Sequence, residues 1–139
     1  MSVRPELPVP ASALELLGRS DAELVAATLA SEPAESFLHA HLSAMRSGAA
    51  LLQATGRPTR RGVRTVWQMV AVVEPELARW AAFFADNAPA RSAVEAGRRH
   101  VVDEERAERA VAAAEDFHSA VRTRLGLVPG DASPLRFVS

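Results

Sequence analysis

Cysteine, lysine, tyrosine and isoleucine are all missing from this chain of 139 residues. Without cysteine there are no disulfides, no thiolate zinc sites and no thiol nucleophile. No uncharged apolar run approaches the roughly 20 residues that a membrane span requires. The opening MSVRPELPVPAS has prolines where a signal peptide would carry its apolar stretch. These absences predict a cytoplasmic protein with no membrane contact. A chain of this size can bury roughly 68% of its unfolded surface, so one domain without metal or disulfide staples is expected. Strand-favouring residues are scarce, whereas Ala fills 28 positions, and that bias predicts helix.

Breakers divide the chain. Residues 1–11 hold Pro5, Pro8 and Pro10, and residues 127–139 read LVPGDASPLRFVS; both ends are predicted to be flexible tails around a single helical domain over residues 12–126. Ser20-Asp21-Ala22-Glu23 has the form of a capping box, which predicts a short helix to about Ala30, with an upstream extension through Leu14, Leu16 and Leu17 as the alternative. Pro33 suits the first turn of a second helix ending at Gly56. At 100° per residue, Phe37, Leu38, His41, Leu42, Met45, Gly48, Ala49 and Leu52 share one side of that helix, and Glu35, His39, Ser43, Arg46, Ser47 and Gln53 share a polar side. Gly48 costs about 1 kcal/mol against Ala in mid-helix, so a closely approaching backbone is expected beside it.

The segment Arg64 to Asn87 is apolar nearly all round and is expected at the centre of the bundle. Pro75 lacks an N–H and pushes Glu74 out of the helical region, so this segment should kink or split there. A shorter helix, about Pro89 to Gly97, follows. The last helix should start at an Asp103 cap and end at Gly126, with Ala107, Ala110, Ala114, Phe117, Val121 and Leu125 as its apolar stripe. Four principal helices, the third broken, predict an all-α antiparallel bundle.

The net charge of −1 is the sum of −4 over residues 1–35, +5 over 36–73 and −2 over 74–139. The cationic third is densest in GRPTRRGVR, where Arg57, Arg60, Arg61 and Arg64 occupy the link between the second and third helices. Guanidinium forks match phosphate oxygens bidentately, so this link is the candidate nucleic-acid-binding element, against the plainer reading of a solvated loop. It holds no aromatic residue, and stacking would have to come from Trp67, which reads as core.

Four histidines remain. His41 lies on the apolar face of the second helix and reads as a buried neutral imidazole with one partner, or as a base in a crevice. His39 and Arg46 share a face and could grip an anion, or simply be exposed. His118 and Arg122, one turn apart, read as a solvated pair or as a catalytic base with its phosphate clamp. His100 follows Arg98 and Arg99 at a helix end, where cations suit the dipole. Glu115 to His118 is a single Glu-x-x-His half-site without a second copy, so no metal is expected, and no cofactor motif is present.

The runs ESFLHAHLSAMRSGAALLQ, RPTRRGVRTVWQMV, VEPELARWAAFFADNAPARSAVEAG and AAAEDFHSAVRTRLG, covering about residues 20–126, resemble a bacterial branch of the HEPN (higher eukaryote and prokaryote nucleotide-binding) domains. The resemblance implies an HEPN-like helical bundle, frequent homodimerisation, and an RNA-linked role that in many members is metal-independent ribonuclease or toxin activity. Catalytic members carry an Arg followed, after four to six intervening residues, by a His on the last long helix. None of the four histidines here has an arginine at that spacing, and Arg109 and His118 are nine residues apart, on opposite faces. The resemblance implies the fold and a nucleic-acid- or partner-binding role; joined to the acid-free middle third, it gives the expectation of a non-catalytic protein that binds RNA or a nucleotide through Arg57, Arg60, Arg61 and Arg64. Two alternatives stand beside it. One is a ribonuclease whose site is assembled across a homodimer from His41 or His118 with Arg46, Arg98 or Arg122; the other is a protein-partner module such as a toxin–antitoxin component.

Overall fold

The computed structural model describes residues 8–58, 62 and 65–127. Six α-helices lie among them: α1 (Ala11–Leu29), α2 (Pro33–Thr55), α3 (Val66–Val73), α4 (Ala78–Asp86), α5 (Ala88–Glu95) and α6 (Glu104–Arg124), with single 3-10 turns at Pro75–Leu77 and Arg99–Val101. No strand is present among the described residues, and the molecule is an all-α bundle. No described helix is long and apolar enough to cross a membrane.

The chain signals set most boundaries. Pro33 opens α2 and Gly56, at φ 93°, closes it; only glycine holds that backbone without strain. Thr65 caps α3 in a full capping box with Gln68, and Asp103 accepts from the Arg106 N–H to cap α6. Pro75 splits the third segment as expected: α3 stops at Val73, Glu74 adopts φ −136°, and a 3-10 turn leads into α4. Buried Glu74 is clasped there by the Arg124 guanidinium, tying the end of α6 to the break.

Three expectations are corrected. Ser20 is not a cap: α1 is continuous from Ala11, the upstream alternative, and Ser20 is fully buried in its middle. The helix thus starts at Ala11, and the Pro10 carbonyl accepts from the Ala13 and Leu14 amides; the expected tails, apart from residues 8–11 and 127, lie outside the described residues. The central helix is α2, not the third segment. Phe37, Ala40, His41, Ser43, Ala44, Ser47, Ala50, Leu51 and Leu52 of α2 are all at most 1% exposed, because α1, α3, α5 and α6 surround it. By contrast Val72 of α3 is 38% exposed. Gly48 faces side chains rather than a backbone; a Cβ there would meet Val66, Val70 and Trp67 at 3.4 to 3.6 Å, ordinary contact distances.

An aromatic cluster fills the centre. Trp67 stacks on Phe84 at 5.3 Å, and Phe117 lies 5.9 Å from Trp67 and 6.4 Å from Phe84. Burying each such ring is worth about 1.5–3 kcal/mol, so the cluster fixes how α3, α4 and α6 sit on α2.

Candidate functional site

Where α4 meets α5, Asn87 ends one helix and begins the next. Its amide Nδ2 donates to the Phe83 carbonyl at 2.9 Å, which aims Oδ1 outward from the helix end. That oxygen accepts two bonds from Arg106 of α6, from Nε at 3.2 Å and Nη2 at 3.0 Å. The Arg106 Nη1 donates to the Val101 carbonyl at 3.4 Å, and its Cζ lies 5.9 Å from the Phe37 ring centroid. A guanidinium has five N–H donors; three are used here to hold it in place, and two remain.

This arginine lines a cleft of about 370 Å³ whose other walls are Phe83, Asn87, His100, Val101, Asp103 and Arg109. Arg109 leans on Glu105 at 3.2 Å in a pair more than half exposed on both sides, an interaction worth under about 1 kcal/mol and readily exchanged for another anion. Asp103 is committed to the α6 cap through Oδ1. The cleft therefore offers one immobilised guanidinium, one exchangeable guanidinium, an exposed imidazole and an aromatic wall.

His41 packs against Phe37, the ring that Arg106 approaches. Its ring sits 4.6 Å from Phe37 and 5.1 Å, edge-on, from Phe84. It is 1% exposed, and its Nε2 has no hydrogen-bond partner among the described residues. The partner expected for a buried imidazole is therefore missing at that nitrogen. Burial, reinforced by the positive charges of Arg91 and Arg106, pushes its pKa down to about 4. Nearby, Arg91 directs Nη1 at the Met45 sulfur, 2.9 Å away, and its buried Nε makes no hydrogen bond among the described residues but pairs with Glu95 Oε2 at 3.8 Å.

The other histidines are distributed elsewhere. The His39 Nδ1 lies 2.7 Å from Glu23 of α1, and Arg46, seven residues on, is half-buried. His118 and Arg122 are not solvated; they are 8% and 9% exposed. His118 Nδ1 lies 2.9 Å from Ser20 Oγ and 3.3 Å from Ser47 Oγ, and Ser20 Oγ lies 2.8 Å from both Ser43 Oγ and Ser47 Oγ. One arrangement satisfies every group: Ser20 donates to Nδ1 and accepts from the two α2 serines. Ser43 and Ser47 thus leave the polar surface expected for them and become part of a buried seam joining α1, α2 and α6. Burial pushes the His118 pKa down, outweighing the nearby Asp21, so the ring is neutral. A Ser–His contact of this kind resembles a nucleophile and its base, but Ser20 is fully buried and cannot reach a substrate.

Of the arginine link, Arg57 is exposed, with Nη1 3.9 Å from the Met69 sulfur; Arg60, Arg61 and Arg64 lie outside the described residues. Trp67 is core, as expected. Arg98 is exposed just before the 3-10 turn and His100 is exposed within it, and Arg99 pairs with Glu32 at 3.0 Å. No group of three His, Asp or Glu among the described residues could hold a metal ion.

Sequence reasoning missed Asn87 and Arg106, which are 19 positions apart and share no motif. One signal was present. Arg106 is a cation in the first turn of α6, where the helix dipole favours anions such as Glu104 and Glu105, and a residue placed against the dipole needs another reason to be there.

The family model described as SAV_6107-like HEPN matches residues 27–122, most of the described bundle. No curated protein and no solved structure matches the chain.

Proposed function

Because the chain belongs to the SAV_6107-like HEPN family and lacks the Arg-x4-6-His spacing, we propose that it binds RNA through phosphate contacts without cleaving it. The observation that carries this reading is the cleft in which Asn87 and the Val101 carbonyl immobilise Arg106 beside Arg109, His100 and Phe83. A guanidinium held in advance loses little entropy on meeting a phosphate, and an aromatic wall suits a base. Arg57 follows the far end of α2, whose Thr55 is about 27 Å from Phe37 at 1.5 Å per residue. Two cationic regions that far apart suit a polynucleotide better than a single nucleotide, and the Arg57, Arg60, Arg61 and Arg64 link serves as the second. His41 and His118, the residues best suited to acid–base cleavage, are both withdrawn from solvent, which supports binding over hydrolysis.

Fluorescence anisotropy with a labelled single-stranded RNA tests the reading. Binding should weaken as salt rises, each lost phosphate contact lowering the log–log slope by about 0.7. Arg109→Ala and Arg106→Ala should each weaken binding about tenfold, and Arg57→Ala with Arg60→Ala, Arg61→Ala and Arg64→Ala should flatten the salt dependence. The RNA should remain intact on a gel. Wild-type protein without salt-sensitive binding would refute the proposal.

A further inference from the structure

A second groove, about 430 Å³, runs along a different side of α6 from the cleft. One wall is three turns of α6, carrying Glu104, Ala107, Glu108, Val111, Ala112 and Glu115; the other is the corner between α1 and α2, from Ala27 to Ser36. Ala27, Ala30, Pro33, Ala107, Val111 and Ala112 provide apolar contact between Ser, Thr and Glu side chains, and because they are short the groove is open rather than filled.

The charge of the groove is one-sided. Glu104, Glu108 and Glu115 are exposed and have no ion-pair partner among the described residues, whereas Glu105, on the neighbouring face of the same helix, has Arg109. The fourth acid, Glu32, is taken by Arg99. Three unpaired carboxylates along about 16 Å of helix repel nucleic acid. They also disfavour a symmetric pairing of two copies through this face, since a two-fold axis would set the acidic wall against itself.

We infer that this groove docks an amphipathic helix of a partner protein, seating Leu-sized side chains between α6 and the α1–α2 corner while flanking Arg or Lys side chains meet Glu104, Glu108 and Glu115. The match is one of shape and charge: helix-in-groove recognition uses apolar anchors at i and i+4 spacing, and complementary rim charges set orientation and on-rate. The surface is separate from the RNA cleft, so the inference stands whether or not the RNA reading does.

Synthetic 18-residue peptides test it with the full-length protein. A Leu/Arg amphipathic helix should bind. A Ser/Arg peptide of equal charge and a Leu/Glu peptide of equal hydrophobicity should bind at least tenfold more weakly. Glu104→Gln with Glu108→Gln and Glu115→Gln, and separately Val111→Arg, should each cost at least tenfold in affinity for the Leu/Arg peptide, with an unchanged circular dichroism spectrum and an RNA affinity that does not fall. Equal affinity for the Ser/Arg peptide would reduce the groove to a nonspecific charge, and unchanged affinity in the variants would place binding elsewhere; either overturns the inference. Sedimentation of the triple variant supplies the last arm: loss of a wild-type oligomer would make the occupant a second copy and also overturn it.

Discussion

His41 and His118 are buried in the same bundle, but their surroundings differ in kind. His118 closes a seam of three serine hydroxyls contributed by α1 and α2. His41 lies among the rings of Phe37 and Phe84 with Nε2 unpartnered, close enough to Arg91 and Arg106 for both to oppose its protonation. The first imidazole is part of what joins helices. The second carries an unpartnered nitrogen into the core and packs on Phe37, the ring that Arg106 of the cleft approaches. Buried polar groups therefore have opposite energetic meanings here, depending on whether every donor and acceptor finds a partner.

Acid should expose this difference most strongly. The unfolded chain takes up a proton at His41 near pH 6.5, while the folded chain does so only at about 4. The unfolded state thus binds more protons between these values, and stability is intact above pH 6.5 and falls as pH drops towards 4. The full loss from His41 is about 3 kcal/mol, and His118, also lowered, adds to it with the same sign. Urea denaturation at pH 7, 5.5 and 4 measures this, and His41→Leu should remove the larger share of the slope.

At constant pH the substitutions should diverge. His118→Leu strips Ser20 of its Nδ1 partner inside the core and should cost about 2–3 kcal/mol at pH 7. His41→Leu removes an unpartnered polar nitrogen from an aromatic pocket and should be neutral or stabilise by up to about 1 kcal/mol. Equal destabilisation by both, in the same urea titration, would mean that His41 has a partner after all. The smallest effect is expected beside the apolar half of the core: Gly48→Ala places a methyl at ordinary contact distance from Val66, Val70 and Trp67 and should raise the unfolding free energy by about 0.5–1 kcal/mol through helix propensity alone.

The elements were legible where one residue carries its own local reason. Pro33, Gly56, Pro75 and Asp103 end or begin helices through ring geometry, positive φ or a side-chain cap, and none of these depends on the rest of the fold. Ser20 shows the limit. Ser-x-x-Glu reads identically whether the serine caps a helix or lies within one, and only the hydroxyls and imidazole that meet it from α2 and α6 decide between them. Ser43 and Ser47 were assigned to solvent for the same reason, since the periodicity of one helix cannot register a polar neighbour supplied by another. The position of α2 was obscured too, because its small Ala, Ser and Gly residues look less like core than the Val, Trp and Phe of α3 and α4. Yet small side chains are what let several helices approach one closely. Nor could the cleft be read from a motif, as Asn87 and Arg106 meet only after α5 and the 3-10 turn bring the chain back.

The serine seam also has a history in time. Ser20 and His118 are separated by 98 positions, so their bond closes nearly the whole domain. Residues 20, 43 and 47 emerge from the ribosome early; at 5–20 residues per second His118 follows Ser47 after about 4–14 s. For that interval an α1–α2 hairpin can exist with its hydroxyls bonded to one another and to water, but not yet completed by α6. The final helix thus does more than add apolar surface: its imidazole converts a wet polar strip into an interior.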